Sequence, residues 1–300
     1  MALLTMAEAL RAIQVPTPTT AGVIKTFDEE SPILRLLKFK QGIGGKVSVN
    51  RWKTLPASAP RALNAEFVAT VGETETIEED LEIYGGRVEL DDAIEDRTPG
   101  ALAQQEMMQL TAMARKWNYD YFKGSGASNE MTGQQLRITG DQVHGMGANP
   151  LNLNFLDKFL LNIRGGDRAN VKLIMGADME ALIWQYARTK NNVNYVPANL
   201  GESPSSYNGY EIVNAGQQID DTEVLDFSEG VGTDETSIYI ISFDEIKGSV
   251  GAQTTLPKVK MTNTDSTVES YKVQWDSNFQ NNTLRGAYRL HGITDAAIVG

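Results

Sequence analysis

Chemistry needs nucleophiles, acid–base groups or metal ligands at workable spacing, and this sequence is sparing with all three. It has no cysteine, which removes disulfides, thiolate metal sites and cysteine nucleophiles and leaves the chain indifferent to redox compartment. There are two histidines, His144 in a Gly-rich stretch that reads as loop and His291 in a predicted strand. Neither stands at metal-ligand spacing from the other or from a nearby carboxylate, so they read as a solvated loop histidine and an edge-strand histidine. A Ser/His/Asp triad is spatial, so spacing alone neither shows nor forbids one, and no G-x-S-x-G elbow argues for it. Gly42-Ile43-Gly44-Gly45-Lys46 has the composition of a phosphate loop. That motif needs a strand before it and a helix after it, whereas Val47-Ser48-Val49 reads as a strand. Gly124-Ser125-Gly126 fails for the opposite reason, because it follows a helix. Asp91, Asp92, Glu95 and Asp96 have the ligand chemistry of a hard-cation site. They also stand just ahead of a long helix, where the helix dipole favours negative charge, and this structural reading prevails. Glu78, Glu79 and Asp80 read as a solvated hairpin face. No catalytic, cofactor-binding or metal-ligating residue is assigned.

The elements around these residues look built for connection. The longest is a helix predicted over 99–123, with Thr98 as N-cap, Pro99 in the first turn and Gly124 as its stop. Leu102, Leu110, Met113, Ala114, Trp117 and Tyr121 recur at helical spacing and give it one apolar face. It would be roughly 35–40 Å long, which suits a strut lying across a sheet. Ahead of it, residues 1–36 read as an arm: a short helix at 4–13, an extended linker around Val15-Pro16-Thr17-Pro18, then one or two helical turns. The apolar residues Ile33, Leu34, Leu36, Leu37 and Phe39 follow. Residues 40–71 read as a two-stranded excursion, outward over 46–52 and returning over 67–71, with too few apolar positions for a core of its own. A hairpin is predicted next, turning at Tyr84-Gly85-Gly86 into a strand over 87–91.

Beyond the helix, residues 124–150 are loop-rich and suit a domain boundary. An α/β segment follows over 153–190. Its first helix carries Leu156, Phe159, Leu160 and Ile163 and is closed by Gly165-Gly166. A buried strand spans 171–175. A second helix is capped by Asp178 and carries Ala181, Leu182, Trp184, Tyr186 and Ala187. Residues 191–209 form a polar loop, long enough to imply function or partner contact. Strands are predicted over 210–213, 237–243, 258–261, 270–275 and 286–293.

Composition narrows the function classes. Three hundred residues suit about two domains of roughly 150 residues. The chain is 41% hydrophobic and 22% charged, as in soluble proteins, and no apolar run approaches the ~18 residues of a membrane span. The opening residues lack a basic region before their apolar stretch, so they do not read as a signal peptide. Net charge is −12, from 39 acidic and 27 basic residues, which argues against a general nucleic-acid binder. Arms and coreless hairpins bury their surface only against a neighbour, which points to a protein whose task is to assemble.

The order of these pieces, with several phrases, resembles the major capsid proteins of tailed bacteriophages. The phrases are SPILRLLKF (31–39), LEIYGGRVELDDAIEDR (81–97), VKLIMGADMEALIWQYAR (171–188), YNGYEIVNAG (207–216), SIYIISFDEIKGSVGAQT (237–254) and SYKVQWDSNFQNNTLRGAYRLHGI (270–293). Those proteins share the Hong Kong 97-like fold, which encapsulin shells also use. The resemblance implies an α+β capsid fold with an N-terminal arm (1–36) and an extended loop (37–71) lying over the adjacent subunit's spine helix. The peripheral domain would take 72–150 and 252–284, with spine helix 99–123. The axial α/β domain would take 151–251 and 285–300, its loop 191–209 meeting other copies around five-fold and six-fold axes.

The resemblance also implies self-assembly into hexamers and pentamers that form an icosahedral head around double-stranded DNA, without sequence-specific binding. The acidic balance suits a lining that lets DNA move. A separate scaffolding protein, a portal and a decoration protein are the further partners implied. The protein would reside in the virion after assembly in the host cytoplasm, with no membrane, no enzyme activity and no cofactor. Lys46, Lys53, Asn281 and Asn282 are of the types that some family members crosslink. The competing readings are an encapsulin-like shell for cargo enzymes and, from another class, an α/β enzyme with 151–251 as its active lobe.

Overall fold

The computed structural model describes residues 4–5, 25–27, 29–127, 129–163, 168–189, 206–229, 234–261 and 268–299. In chain order its strands are β1 (Leu4–Thr5), β2 (Lys38–Gln41), β3 (Lys46–Thr54), β4 (Glu73–Asp80), β5 (Glu82–Asp91), β6 (Val143–Asn152), β7 (Val171–Met175), β8 (Ser206–Tyr207), β9 (Tyr210–Asn214), β10 (Glu235–Ser242), β11 (Ser249–Gln253), β12 (Lys258–Met261), β13 (Val268–Asn281) and β14 (Ala287–Val299). The α-helices are α1 (Pro32–Leu36), α2 (Asp92–Arg97), α3 (Ala101–Lys123), α4 (Gln134–Arg137), α5 (Leu153–Asn162) and α6 (Ala177–Thr189).

Two six-stranded sheets carry the fold, and β3 and β4 pair with each other apart from both. The first sheet runs β1-β2-β11-β13-β12, with β5 along the other edge of β13. The second runs β6-β14-β10-β7-β9-β8 and is mixed: β6 with β14 and β7 with β9 are parallel, the other pairs antiparallel. Its central strand β10 is buried on both faces. Tyr239 and Ile241 point into one core and Ile238 and Ile240 into the other, as expected of a strand covered on both sides.

Helix α3 lies across the first sheet and joins the two. Its predicted stripe is the buried one: Leu102, Leu110, Met113, Ala114, Trp117 and Tyr121 all face the core. Trp117 packs on Tyr121 and Trp275 at centroid distances of 5.7 and 5.8 Å. Phe27 and Phe39, from the segment before β3, close on the same Trp275 at 5.4 and 5.7 Å. The second core holds Leu156, Leu160, Leu173 and Leu290 beneath α5 and α6.

Several local expectations change. Leu4 and Thr5 form a strand against β2, where a helix over 4–13 was expected. Residues 6–13 and the proline linker lie outside the described residues. The excursion returns through β4 and not through 67–71, and residues 55–72 carry no strand. No turn occurs at Gly85-Gly86, because β5 runs straight through it. Those glycines serve close approach. A Cβ on Gly85 would lie 2.2 Å from the Val273 carbonyl oxygen, and one on Gly86 2.0 Å from the Gln109 amide of α3. Residues 143–150, read as loop, belong to β6 in the second sheet. Thr98 caps the end of α2 and not the start of α3. Helix α3 begins after Gly100, whose φ of 93° makes the corner. Asp178 sits in the first turn of α6, whose leading amide, Ala177 N–H, donates to Glu223 (2.9 Å). The fully buried positions of α6 are Met179 and Ile183; of the residues that the sequence places on this helix, Leu182 and Tyr186 are half-buried against the second core and Ala181 is exposed. Gly165-Gly166 lies outside the described residues.

Candidate assembly surfaces

Strands β3 and β4 pair in one register from Lys46 opposite Asp80 to Trp52 opposite Thr74, and after a one-residue shift Thr54 stands opposite Glu73. Only Val47 of β3 is buried. Charge holds the register: Lys46–Asp80 (3.3 Å), Arg51–Glu75 (2.9 Å) and Lys53–Glu73 (3.4 Å). Exposed pairs of this kind contribute little net stability, so they align the ribbon without anchoring it. Every residue from 52 to 71 is exposed. Trp52 is 79% exposed, Leu63 92% and Phe67 71%. Such apolar surface on a ribbon without a core marks an interface.

The ribbon is fixed at its root. Both terminal nitrogens of Arg137, on α4, reach the carboxylate of Glu79, its Nε donates to Thr132 O (2.6 Å), and its guanidinium lies 4.4 Å from the Phe279 ring centre. Asn278 Nδ2 donates to Asp80 O (2.6 Å), and Leu81 N–H to Gly45 O (2.8 Å). Glu79, expected on a solvated face, is therefore the carboxylate that ties the ribbon to the body. Sequence reasoning missed it because nothing in Glu78-Glu79-Asp80 distinguishes the middle residue. Only the approach of α4 does.

The strut has a polar seam beneath it. Asp120 of α3, 1% exposed, accepts from Tyr84 Oη of β5 (3.0 Å) and from Lys116 Nζ (2.6 Å). Burial pushes its pKa up to about 6, against the opposing pull of Lys116. Glu130 accepts from Ser125 and from Lys116 (3.0 Å), which hold it down at about 2. Tyr121 Oη donates to Ser249 Oγ (3.0 Å) and accepts from Gln134 Nε2 (3.0 Å), linking α3, α4 and β11. Two members of the acidic run ahead of α3, Asp91 and Glu95, act in capping. Asp91 Oδ1 accepts from Ala93 N–H (2.8 Å), and the Glu95 carboxylate accepts from Gly100 N–H (2.7 Å) and Leu102 N–H (2.8 Å). Those amide contacts, Leu102's first, hold the Glu95 pKa below the usual carboxylate range.

His144 stacks on Phe155, with centroids 4.6 Å apart, so it packs on α5 from a strand. His291 stands on the neighbouring strand opposite Gly145, and burial lowers its pKa. Among the described residues no three His, Asp or Glu side chains gather as metal ligands. No helix among them is long and apolar enough to cross a membrane. Gly44 and Gly45 make the turn between β2 and β3, so the phosphate-loop composition belongs to a hairpin corner. Asn281 Nδ2 donates to Gln134 (2.8 Å), and Asn282 Nδ2 to Glu245 O (2.7 Å). Of the polar loop 191–209, residues 191–205 lie outside the described residues.

A projecting ribbon, a long strut helix crossing one sheet and a second, mixed sheet covered on both faces define the α+β Hong Kong 97-like fold. Solved structures share it over nearly their full lengths. The holo-SrpI encapsulin complex from Synechococcus elongatus matches with a TM-score of 0.66 at 16% identity, over 100% of this chain and 99% of that one. The cyanophage A-1(L) capsid matches at 0.64 and 12% identity, over 88% and 93%. The capsid of a native GTA particle matches at 0.62 and 12% identity, over 94% and 93%. No protein-family model matches the sequence, and no curated protein matches it.

Proposed function

We propose that this chain is a major capsid protein that assembles through its ribbon into hexamers and pentamers of an icosahedral head enclosing double-stranded DNA. The observation that carries this reading is the β3–β4 ribbon: exposed and apolar along its outer half, yet clamped at its root by Arg137 and Glu79. A ribbon that is stiff at its base and unpaid for at its tip is suited to reach a second copy. Repeated head-to-tail contacts of this kind close into rings. On this reading residues 1–36 are the arm, 37–71 the extended loop, 72–150 with 252–284 the peripheral domain and 151–251 with 285–300 the axial domain. The loop 191–209 is the proposed axial contact. A scaffolding protein, a portal and a decoration protein complete the partners. The protein works in the virion after assembly in the host cytoplasm, and it is not an enzyme.

The test is electron microscopy of the purified protein, alone and co-expressed with scaffolding candidates, paired with light scattering. Shells, or rings of five and six copies, are expected. A monomer under every condition rejects the proposal. Encapsulins share the fold, so the contents of shells made in the native host decide between the two shell types. Nuclease-protected double-stranded DNA supports the head, and an enclosed enzyme supports a cargo compartment.

A further inference from the structure

An open strand edge presents backbone N–H and C=O groups to any strand that can reach them, so folded proteins shorten, bend or interrupt their edges. The two six-stranded sheets do this at most of theirs. The second sheet ends on β8, two residues long, and on β6, which carries Pro150 and bends where Gly147 and Ala148 take φ of 65° and 57°. The first sheet ends on β1, also of two residues, and on β12, of four. Strand β5 is the exception. It runs ten residues without proline and pairs with β13 in an unbroken register from Glu82 to Asp91. Among the described residues no strand lies along its other edge. Ile83, Gly85, Arg87 and Glu89 on its outer face are exposed, and at Gly85 that exposure is of backbone.

The charges along β5 say which strand fits it. In an antiparallel ladder, residues directly opposite share a face, where unlike charges attract and like charges repel. Consider a second copy of β5 laid along the first about a two-fold axis. An axis at Arg87 sets Arg87 on itself, one at Glu89 sets Glu89 on itself, and one at Gly86 gives neither a charged partner. An axis at Val88 sets Arg87 of each copy opposite Glu89 of the other, on the exposed face. Within one subunit Arg87 already holds Glu89 (2.5 Å), so the two copies together close a ring of alternating charges. The edge is thus complementary to itself, as an isologous contact requires. We propose that β5 pairs antiparallel with β5 of a second copy about a two-fold axis at Val88, which joins two first sheets into one. This deepens the assembly reading above, on which its place in a shell rests: the ribbon closes rings head to tail, and the two-fold edge contact joins one ring to the next.

The chain has no cysteine, so a single one introduced at the axis reports only on its own counterpart. Residues directly opposite have Cα atoms about 4.5–5.5 Å apart, within disulfide reach. Val88→Cys should therefore oxidise to a covalent dimer in assembled protein. Leu90→Cys, four residues out of register with its counterpart and so roughly 14 Å from it, should not. Charge supplies the second measurement. In the Val88→Cys background, Arg87→Glu and Glu89→Arg each gather four like charges at the contact, and each should cut the yield of covalent dimer about tenfold. Mixing the two variants should restore it, because acids of one copy then face arginines of the other while the pair within each copy stays broken. Rescue by mixing thus reads the contact between copies, and unchanged circular dichroism of the free subunits separates it from misfolding. Shells or rings in which Val88→Cys crosslinks no more than Leu90→Cys overturn the edge pairing and leave the shell reading standing, as does a mixture no better than its parts. Covalent Val88→Cys dimers from a protein that never forms rings or shells keep the pairing and overturn the shell reading.

Discussion

At the scale of single residues, the charge buried beneath the strut sets a pH dependence. Asp120 is pushed to about 6 in the folded chain by burial, against an ordinary aspartate near 4. The folded state thus binds this proton more tightly than the unfolded chain does. The group makes stability fall as pH rises from about 4 to about 6, and changes nothing above that. Glu130 runs the other way in a lower window: held at about 2, it contributes stability above about 4.5 and loses it as pH falls toward 2. Asp120→Asn cannot titrate. Relative to that variant, the wild type should lose on the order of 2 kcal/mol between pH 4 and pH 7. Urea denaturation of free subunits at the two pH values reads this directly, and parallel curves for the two proteins would refute it. The reason to keep such a residue is positional. Asp120 holds Tyr84 and Lys116 at once, so it fixes β5 against α3 where an apolar residue would only fill space.

At the scale of elements, two features invite substitution. Lys260, Lys272 and Arg87 face one another across β12, β13 and β5, all exposed on the sheet face away from the strut. Glu89 already pairs with Arg87 (2.5 Å), so the opposed charges are Lys260 and Lys272; like charges directly opposite cost stability, and Lys272→Glu should stabilise the chain by roughly 0.5 kcal/mol, seen as a higher urea midpoint at unchanged slope. A lower midpoint would mean that the row is compensated in the free subunit. The clamp at the ribbon root should behave oppositely. Arg137→Met leaves Glu79 without its partner and should cost about 3 kcal/mol, with faster hydrogen exchange in β4 and none of that change in β10. Equal acceleration in both strands would show that Arg137 supports the whole body. The strut was legible in the sequence because Leu102 through Tyr121 repeat at helical spacing and bury that face within one chain. The ribbon was legible as a segment without a core. The clamp was not, because its partners are 58 residues apart and only tertiary structure joins them. Gly85-Gly86 misled for a physical reason: glycine marks both tight turns and close approach, and local sequence does not tell them apart. Strand β6 was hidden by Gly145, Gly147 and Pro150, which carry loop signals that its parallel pairing with β14 overrides.

At the scale of the whole molecule, the chain divides into a body that holds both cores and a ribbon that buries little surface of its own. Both cores, the strut and the two six-stranded sheets lie in the body. The ribbon beyond residue 52 adds exposed apolar surface and a few pairs that water screens. On the shell reading proposed above, assembly depends on this division. A connector satisfied within its own chain would have little left for a neighbour, and one that destabilised its own body would be lost before assembly. Replacing residues 55–72 by a two-residue Asn-Gly turn joins Thr54 to Glu73, which already face each other in the register. The shortened subunit should fold with a midpoint within about 0.5 kcal/mol of the wild type, since surface changes away from packed features rarely exceed that. It should also lose shell and ring formation. Normal shells from this variant would show that the ribbon tip is not the connector, and the assembly surface would then have to be sought on the strut's exposed flank at Met107 and Met108. A large loss of stability would show instead that the tip packs on its own body, contrary to its exposure along residues 52–71.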